Sequence, residues 1–310
     1  MMGDTRVFLT ENRASLEEFS DLFEAIERPA TFFCVGKIPT RIEARLVPVG
    51  SMRNLDELLQ HQADVAAVIC PAEVASRLPG GIGCAISPQP LEAAHEIHQR
   101  LTQRADYYWK RFPTRIHPDA EVRPGARVAE YDVVIGAGTV IDSNALVLER
   151  SVIGDNCYIG PGTVVSCLAY ELVKVRGRPR LMAQAGGVRL GDNVTVLTNT
   201  TIARSVFPVF TEIGDDCAFD NLVHVGHDVV LASGVRMAAS SMVCGRVTVG
   251  EDTFLGPKAM VTNGVNLGRG VQVSLGSMVS RDVPDNTKVT GYFAVEHSEF
   301  LAAFKRLHDS

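Results

Sequence analysis

The run Phe219-Asp220-Asn221-Leu222-Val223-His224-Val225-Gly226-His227-Asp228-Val229 holds the residues best suited to chemistry. Two histidines flank a valine, with Asp220-Asn221 upstream and Asp228 directly downstream. A neutral imidazole with an unperturbed pKa of about 6.5 can accept a proton at physiological pH. Either Asp220 or Asp228 could orient such a ring, and spacing alone does not choose between them. An isolated exposed histidine is ordinarily a solvated side chain. Two inside Asp-Asn-x-x-His-x-x-His-Asp are harder to dismiss.

The element that must position them is a repeat. From Ile213 an apolar residue recurs every six positions, through Phe219, Val225, Leu231, Met237, Val243, Val249, Leu255, Val261, Leu267, Val273 and Val279. The next residue is usually small, as at Gly214, Gly226, Ala232, Gly250 and Gly268. A second series runs Ile135, Ile141, Val147, Ile153, Ile159 and Val165, and a third runs Leu190, Val196 and Ile202. A period of six suits short strands joined by sharp corners, each sending one apolar side chain inward. Three strands close one triangular turn of a solenoid, and stacked turns bury the inward column. Neither His224 nor His227 belongs to that column. Both are expected near a corner, where a neighbouring subunit can approach.

Two interruptions mark candidate binding loops. The register breaks across Tyr170 to Gly187, a segment carrying Lys174, Arg176, Arg178 and Arg180. About five extra residues bulge between Ile202 and Ile213, around Phe207 and Pro208. Any single base in the first insertion is ordinary solvated surface; as a group they suit an acidic carrier or a phosphate. Residues 1–113 lack the period and are expected to form a small α/β domain. A helix is expected over Leu16 to Ile26, strands over Ala63 to Cys70 and Gly81 to Ile86, and a helix over Leu91 to Leu101. The solenoid is expected over 114–291, starting softly at Ile116, Val122 and Val128. Residues 292–310 should add a short helix, with Phe300, Leu301, Phe304 and Leu307 on one face to cap the last coil.

Hydrophobic residues make up 46% of the 310 and charged residues 21%, a soluble globular composition, and the net charge of -6 gives no footprint for nucleic acid. The seven cysteines are scattered without CxxC spacing, which argues against a disulfide framework or a cysteine zinc site. The N-terminal apolar run, Val7 to Leu9, is too short for a signal peptide, and no stretch approaches a membrane span. A reducing, cytoplasmic setting is expected.

On these residues the chain resembles the hexapeptide-repeat acyltransferases of lipid A synthesis. The order of parts resembles the UDP-3-O-acyl-glucosamine N-acyltransferases, the LpxD family, most strongly from Val188 to Gly291. The resemblance implies a left-handed parallel β-helix, mainly β, and a homotrimer with active sites between adjacent helices. It implies that His227 is the general base, that the Gly245 amide lies near the reacting carbonyl, and that Asp220 and Asn221 match the family's Asp-Asn pair. The His-x-x-His pattern is closer to the sister O-acyltransferases and implies a sugar-nucleotide role for His224; Tyr170 and Asn263 are further candidates for the acceptor. The expected donor is an acyl thioester on acyl carrier protein or coenzyme A, with no tightly bound cofactor and no metal. The expected acceptor is a nucleotide-linked amino sugar.

The chemistry is coherent in its own right. Thioester aminolysis needs a proton removed from the amine, which an imidazole can take, and a fixed donor for the carbonyl oxygen, which a backbone N–H can supply. Cys244 is an alternative nucleophile, although a small thiol filling a coil position is the plainer reading. The sequence departs from the family pattern at Val265 after Asn263-Gly264, at Ala203 and Ser205 within Asn199-Thr200-Thr201-Ile202-Ala203-Arg204-Ser205, and at Leu168-Ala169-Tyr170. The Phe and Tyr that sandwich uracil in the family lack a clear counterpart near Gly50 to Leu59. These positions touch substrate recognition, so a lipid A precursor and a 3- or 4-amino-deoxy sugar for a surface polysaccharide both stay open. Two other classes compete. A γ-type carbonic anhydrase needs a third zinc-ligating histidine near His224 and His227. A non-catalytic scaffold or sugar-nucleotide sensor needs neither His227 nor Gly245.

Overall fold

The computed structural model describes residues 10–38, 42–291 and 297–308, with side chains of the last helix described at 297–299, 301, 302, 305 and 306. The hexapeptide residues build three parallel sheets of eight, eight and nine strands, most strands only two to four residues long. Each strand pairs in parallel with its counterpart one coil on, so Ile213 lies beside Leu231, Phe219 beside Met237 and Val225 beside Val243. The result is a left-handed parallel β-helix. All twelve residues of the Ile213 series are buried, none more than 7% exposed. Full burial of each such side chain contributes roughly 1.5–3 kcal/mol.

The three sequence series are one structure. Ile153 pairs with Leu190 across the first insertion, and Ile202 pairs with Val225 across the second. The inward columns therefore continue through both breaks, and the extra residues loop outward. The first coil follows the same register, with Ile116 beside Ile135 and Val122 beside Ile141. Yet Ile116 and Val122 stay 42% and 40% exposed, because no earlier coil covers them. Many corners place a residue at positive φ, often Asn or Asp, as at Asn156, Asn199 and Asp228. Those side chains tolerate the left-handed region better than most.

Ahead of the solenoid, a five-stranded sheet runs in the order Ala25–Arg28, Gly83–Ile86, Val65–Cys70, Arg45–Pro48 and Cys34–Val35. Helix Pro90–Gln103 packs on it. The helix expected over Leu16 to Ile26 is shorter and tighter. A 3-10 segment spans Leu16–Leu22, Phe19 leaves helical geometry, and Ala25 already belongs to a strand. This region shares a core with the flank of the solenoid. Phe19, Phe32, Ile97 and Leu101 belong to one apolar cluster with Phe207 and Phe210. The Trp109 indole N–H donates to the Ala185 carbonyl, and His98 Nε2 lies 2.8 Å from the Ala183 carbonyl.

The C-terminal helix spans His297–His308. Of its expected apolar face Leu301 is 43% exposed, while the side chains of Phe300, Phe304 and Leu307 lie outside the described residues, as does the run Val7 to Leu9. Among the described residues no helix is long and apolar enough to cross a membrane.

Candidate active site

Gly226, His227, Asp228 and Val229 form a corner between strands His224–Val225 and Val230–Leu231. The next coil stacks Cys244 and Gly245 against it. A Cβ on Gly226 would stand 2.7 Å from the Gly245 nitrogen, and a Cβ on Gly245 would stand 2.4 Å from His227 Nε2. Glycine at both places lets the coils approach and leaves room for the ring. Asp228 takes the left-handed position of the turn, φ 57°, which sets its carboxylate beside its neighbour.

His227 Nδ1 donates to Asp228 Oδ2 at 2.6 Å, and its Nε2 lies 3.3 Å from Glu171 Oε2. Both partners are carboxylates, which only accept, so the ring in this arrangement carries both protons. Burial pulls the His227 pKa down, but the hydrogen bonds to Asp228 and Glu171 outweigh it and raise the value to about 9. Glu171 is the mirror image. Burial pushes its pKa up, and the bonds from His227 and Lys37 bring it down to about 2. Lys37 Nζ donates to Glu171 Oε1, and Ser205 Oγ donates to Asp228 Oδ1. The Asp228 N–H donates to Thr211 Oγ1 at 3.0 Å. Three distant segments thus meet at one corner: the loop at Lys37, the insertion at Glu171 and the coil at His227.

The choice between Asp220 and Asp228 falls to Asp228. Asp220 and Asn221 occupy the preceding corner and brace backbone there. Asp220 Oδ1 accepts from the Asn221 N–H at 2.7 Å, and its Oδ2 accepts from the Ala239 N–H at 3.2 Å. Asn221 Oδ1 accepts from the Thr198 N–H at 3.0 Å. His224 lies 2.8 Å from Thr201 Oγ1 through Nδ1, and burial, with His227 nearby, lowers its pKa. Cys244 is partly buried, and burial pushes its thiol pKa up, which suits a coil-filling thiol better than a nucleophile.

Asn263 is exposed on the same stack of corners, one coil beyond Gly245. Tyr170 is 83% exposed and adjoins Glu171. The basic insertion folds as an antiparallel hairpin, Leu172–Val175 with Arg178–Leu181. Val173 faces Arg180 and Val175 faces Arg178 across it, so both arginines share one face while Lys174 takes the other. Arg176 sits at the turn, with its N–H donating to Glu92 Oε1 at 2.9 Å. The four bases therefore surround the hairpin and do not form one patch.

Sequence reasoning missed Glu171, Lys37, Ser205 and Thr211. The available signal was a lone acid beside Tyr170 at the mouth of an otherwise basic insertion. A cavity of 420 Å³ adjoins the corner, walled by Ile38, Phe207 and Val230, with Lys37, Asp228 and Arg246 at its polar edges. Among the described residues no cluster of three His, Cys, Asp or Glu is placed to hold a metal ion.

Residues 132–167 match the family described as bacterial transferase hexapeptide (six repeats), and residues 246–281 match the hexapeptide repeat of succinyl-transferase. The chain is 27% identical over 210 residues to a UDP-3-O-acylglucosamine N-acyltransferase of Herminiimonas arsenicoxydans, covering 58% of this chain and 60% of that one. It is 33% identical over 129 residues to the enzyme of that name from Albidiferax ferrireducens, covering 40% and 39%. The matched part thus spans less than two thirds of each of these relatives. A solved UDP-N-acetylglucosamine O-acyltransferase from Moraxella catarrhalis is 19% identical, over 61% of this chain and 76% of that one, with a TM-score of 0.48. The chain thus carries two matched hexapeptide-repeat segments and is similar, over part of its length, to UDP-3-O-acylglucosamine N-acyltransferases.

Proposed function

We propose that this protein is an acyltransferase that moves an acyl group from a thioester, on acyl carrier protein or coenzyme A, to the amine of a nucleotide-linked amino sugar. The observation that carries the reading is the His227–Asp228 hydrogen bond at 2.6 Å with Gly245 packed against the ring. Asp228 fixes the tautomer in which Nε2 faces the reactants. Nε2, once unprotonated, takes the amine proton, and the Gly245 N–H meets the charge that grows on the carbonyl oxygen. Tyr170, His224 and Asn263 are assigned to the acceptor. Of the hairpin bases Lys174, Arg176, Arg178 and Arg180, the pair Arg178 and Arg180, which share one face, is assigned to the donor's phosphate or acidic carrier. The expected assembly is a homotrimer, the expected setting the cytoplasm, and the expected pathway that of lipid A or a surface polysaccharide.

The test is thiol release by the purified protein, with His227→Ala beside it. Carrier and coenzyme A donors are crossed with UDP-, dTDP- and GDP-linked amino sugars. Release that needs both an acceptor and His227 supports the reading. Release that ignores the loss of His227 contradicts it, and a folded wild type silent across the panel favours a scaffold.

A further inference from the structure

Glu171 stands where an acceptor must approach. Its Oε2 faces His227 Nε2 at 3.3 Å, the one ring nitrogen not committed to Asp228, and its Oε1 accepts from Lys37. The carboxylate is 15% exposed, while its neighbours Tyr170 and Leu172 are 83% and 42% exposed. Glu171 thus turns inward from a solvated segment and holds two cations in a poorly hydrated corner.

We propose that Glu171 is the seat for the acceptor's ammonium group and makes the site select an amine over a hydroxyl; the inference rests on the acyltransferase reading above. A carboxylate held out of water is costly to leave short of a cation. The imidazolium of His227 supplies one, but a doubly protonated ring is no base. An arriving ammonium replaces the imidazolium N–H on Glu171 while one proton leaves to solvent, so the charge of the corner is unchanged. A hydroxyl acceptor leaves the carboxylate one cation short.

The proton count closes on the same residues. The seated ammonium gives one proton to His227 Nε2 and becomes a neutral amine. Its lone pair forms the C–N bond to the thioester carbon, and the C–S bond breaks with its electron pair on sulfur. The nitrogen's surplus proton passes to that thiolate. The remaining imidazolium pairs with Glu171 again as the amide departs.

The test uses full-length protein and acceptor pairs that differ by one amine or hydroxyl: UDP-, dTDP- and GDP-linked amino sugars against their hydroxyl counterparts. Glu171→Gln is expected to raise KM for the amine roughly 10- to 100-fold, the loss of one charge-assisted bond. Inhibition by the hydroxyl counterpart should change by less than about 3-fold on the same scale. Equal losses for both members of a pair, or no loss for either, overturn the proposal. In a parallel NMR titration the His227 pKa must fall in Glu171→Gln, with Asp228 and His224 still facing the ring and Lys37 left nearby. An unchanged value means that the contact is absent in solution and overturns the proposal as well. His227-dependent transfer that ignores Glu171 leaves the acyltransferase reading standing. Transfer that ignores His227, or wild-type silence with every pair, removes that reading and this inference together.

Discussion

Gly245 lies so close against His227 that a methyl group on its Cα would stand 2.4 Å from Nε2 and 2.6 Å from Cε1. The ring is thus held from below by the next coil and from the side by Asp228. Gly245→Ala should displace the imidazole and the neighbouring N–H together. A displacement near 1 Å typically costs about 10²-fold in rate. We expect kcat/KM to fall by about that factor, with some loss of stability below pH 6.5 as the ring's contacts with Asp228 and Glu171 loosen. Full activity in a folded Gly245→Ala would show that the ring's seat is irrelevant to turnover.

Asp228 should matter more than Asp220. Asp228→Asn keeps the shape but removes the charge that holds the Nδ1 proton, and general-base function of this kind is worth about 10²–10⁴-fold. The NMR titration of His227 should shift to lower pH in this variant. Asp220→Asn alters a brace on the preceding corner. A larger activity loss from Asp220→Asn than from Asp228→Asn would reverse the assignment.

His227 also ties stability to pH. Its folded pKa of about 9 lies above the ordinary histidine value of 6.5, so the native state holds the proton more tightly than the unfolded chain. The sign follows directly: the stabilisation is complete below about pH 6.5 and is lost as pH rises through about 9. Its size is about 3 kcal/mol, at 1.36 kcal/mol per pH unit of displacement. The groups facing the ring are Asp228, Glu171 and His224, with Lys37 beyond Glu171. Urea unfolding at pH 6 and pH 9.5 should show this loss in the wild type beyond that in His227→Gln. Parallel behaviour of the two proteins would contradict it.

The same proton should show in catalysis. A base needs Nε2 free, so kcat/KM should climb with pH through the basic range, reach half its maximum near pH 9 and level off only above it, reporting the free enzyme. In Glu171→Gln the climb should begin at lower pH, because one of the two carboxylates that hold the proton is gone. A wild-type profile already flat at pH 6 would contradict the imidazolium state of the resting corner.

Phe219 tests the solenoid itself. It is 1% exposed and pairs with Met237 and Val196 in the inward column. Phe219→Ala should cost about 3–5 kcal/mol in chemical denaturation, as large-to-small core changes do. A loss below about 1 kcal/mol would mean that the coil collapses onto the gap.

The repeat was legible because one inward residue in six leaves a period that neither an α-helix nor a plain hairpin sheet has. Its continuity through the insertions was not, since nothing in the spacing tells that Ile153 resumes at Leu190. The register put His227 near a corner, whereas Gly245 came only from the family resemblance, because spacing does not tell which backbone stacks on the ring. Asp220 and Asp228 were not separable, because both sit at corners, and only the coil shows that they occupy different ones. Glu171 and Lys37 come from outside the periodic part, 134 residues apart, and long-range docking leaves no local pattern to read.

The core shared by the early sheet and the solenoid flank has a consequence for synthesis. Lys37 leaves the ribosome long before Glu171, and the cluster around Phe19, Ile97 and Leu101 is finished only when Phe207 and Phe210 arrive. The nascent chain must carry an unfinished apolar face through the making of about a hundred residues, a state open to misassembly and chaperone capture. Assembly of the reactive corner is therefore a late event, and a ribosome stalled before residue 171 would hold a chain whose catalytic residues do not yet exist.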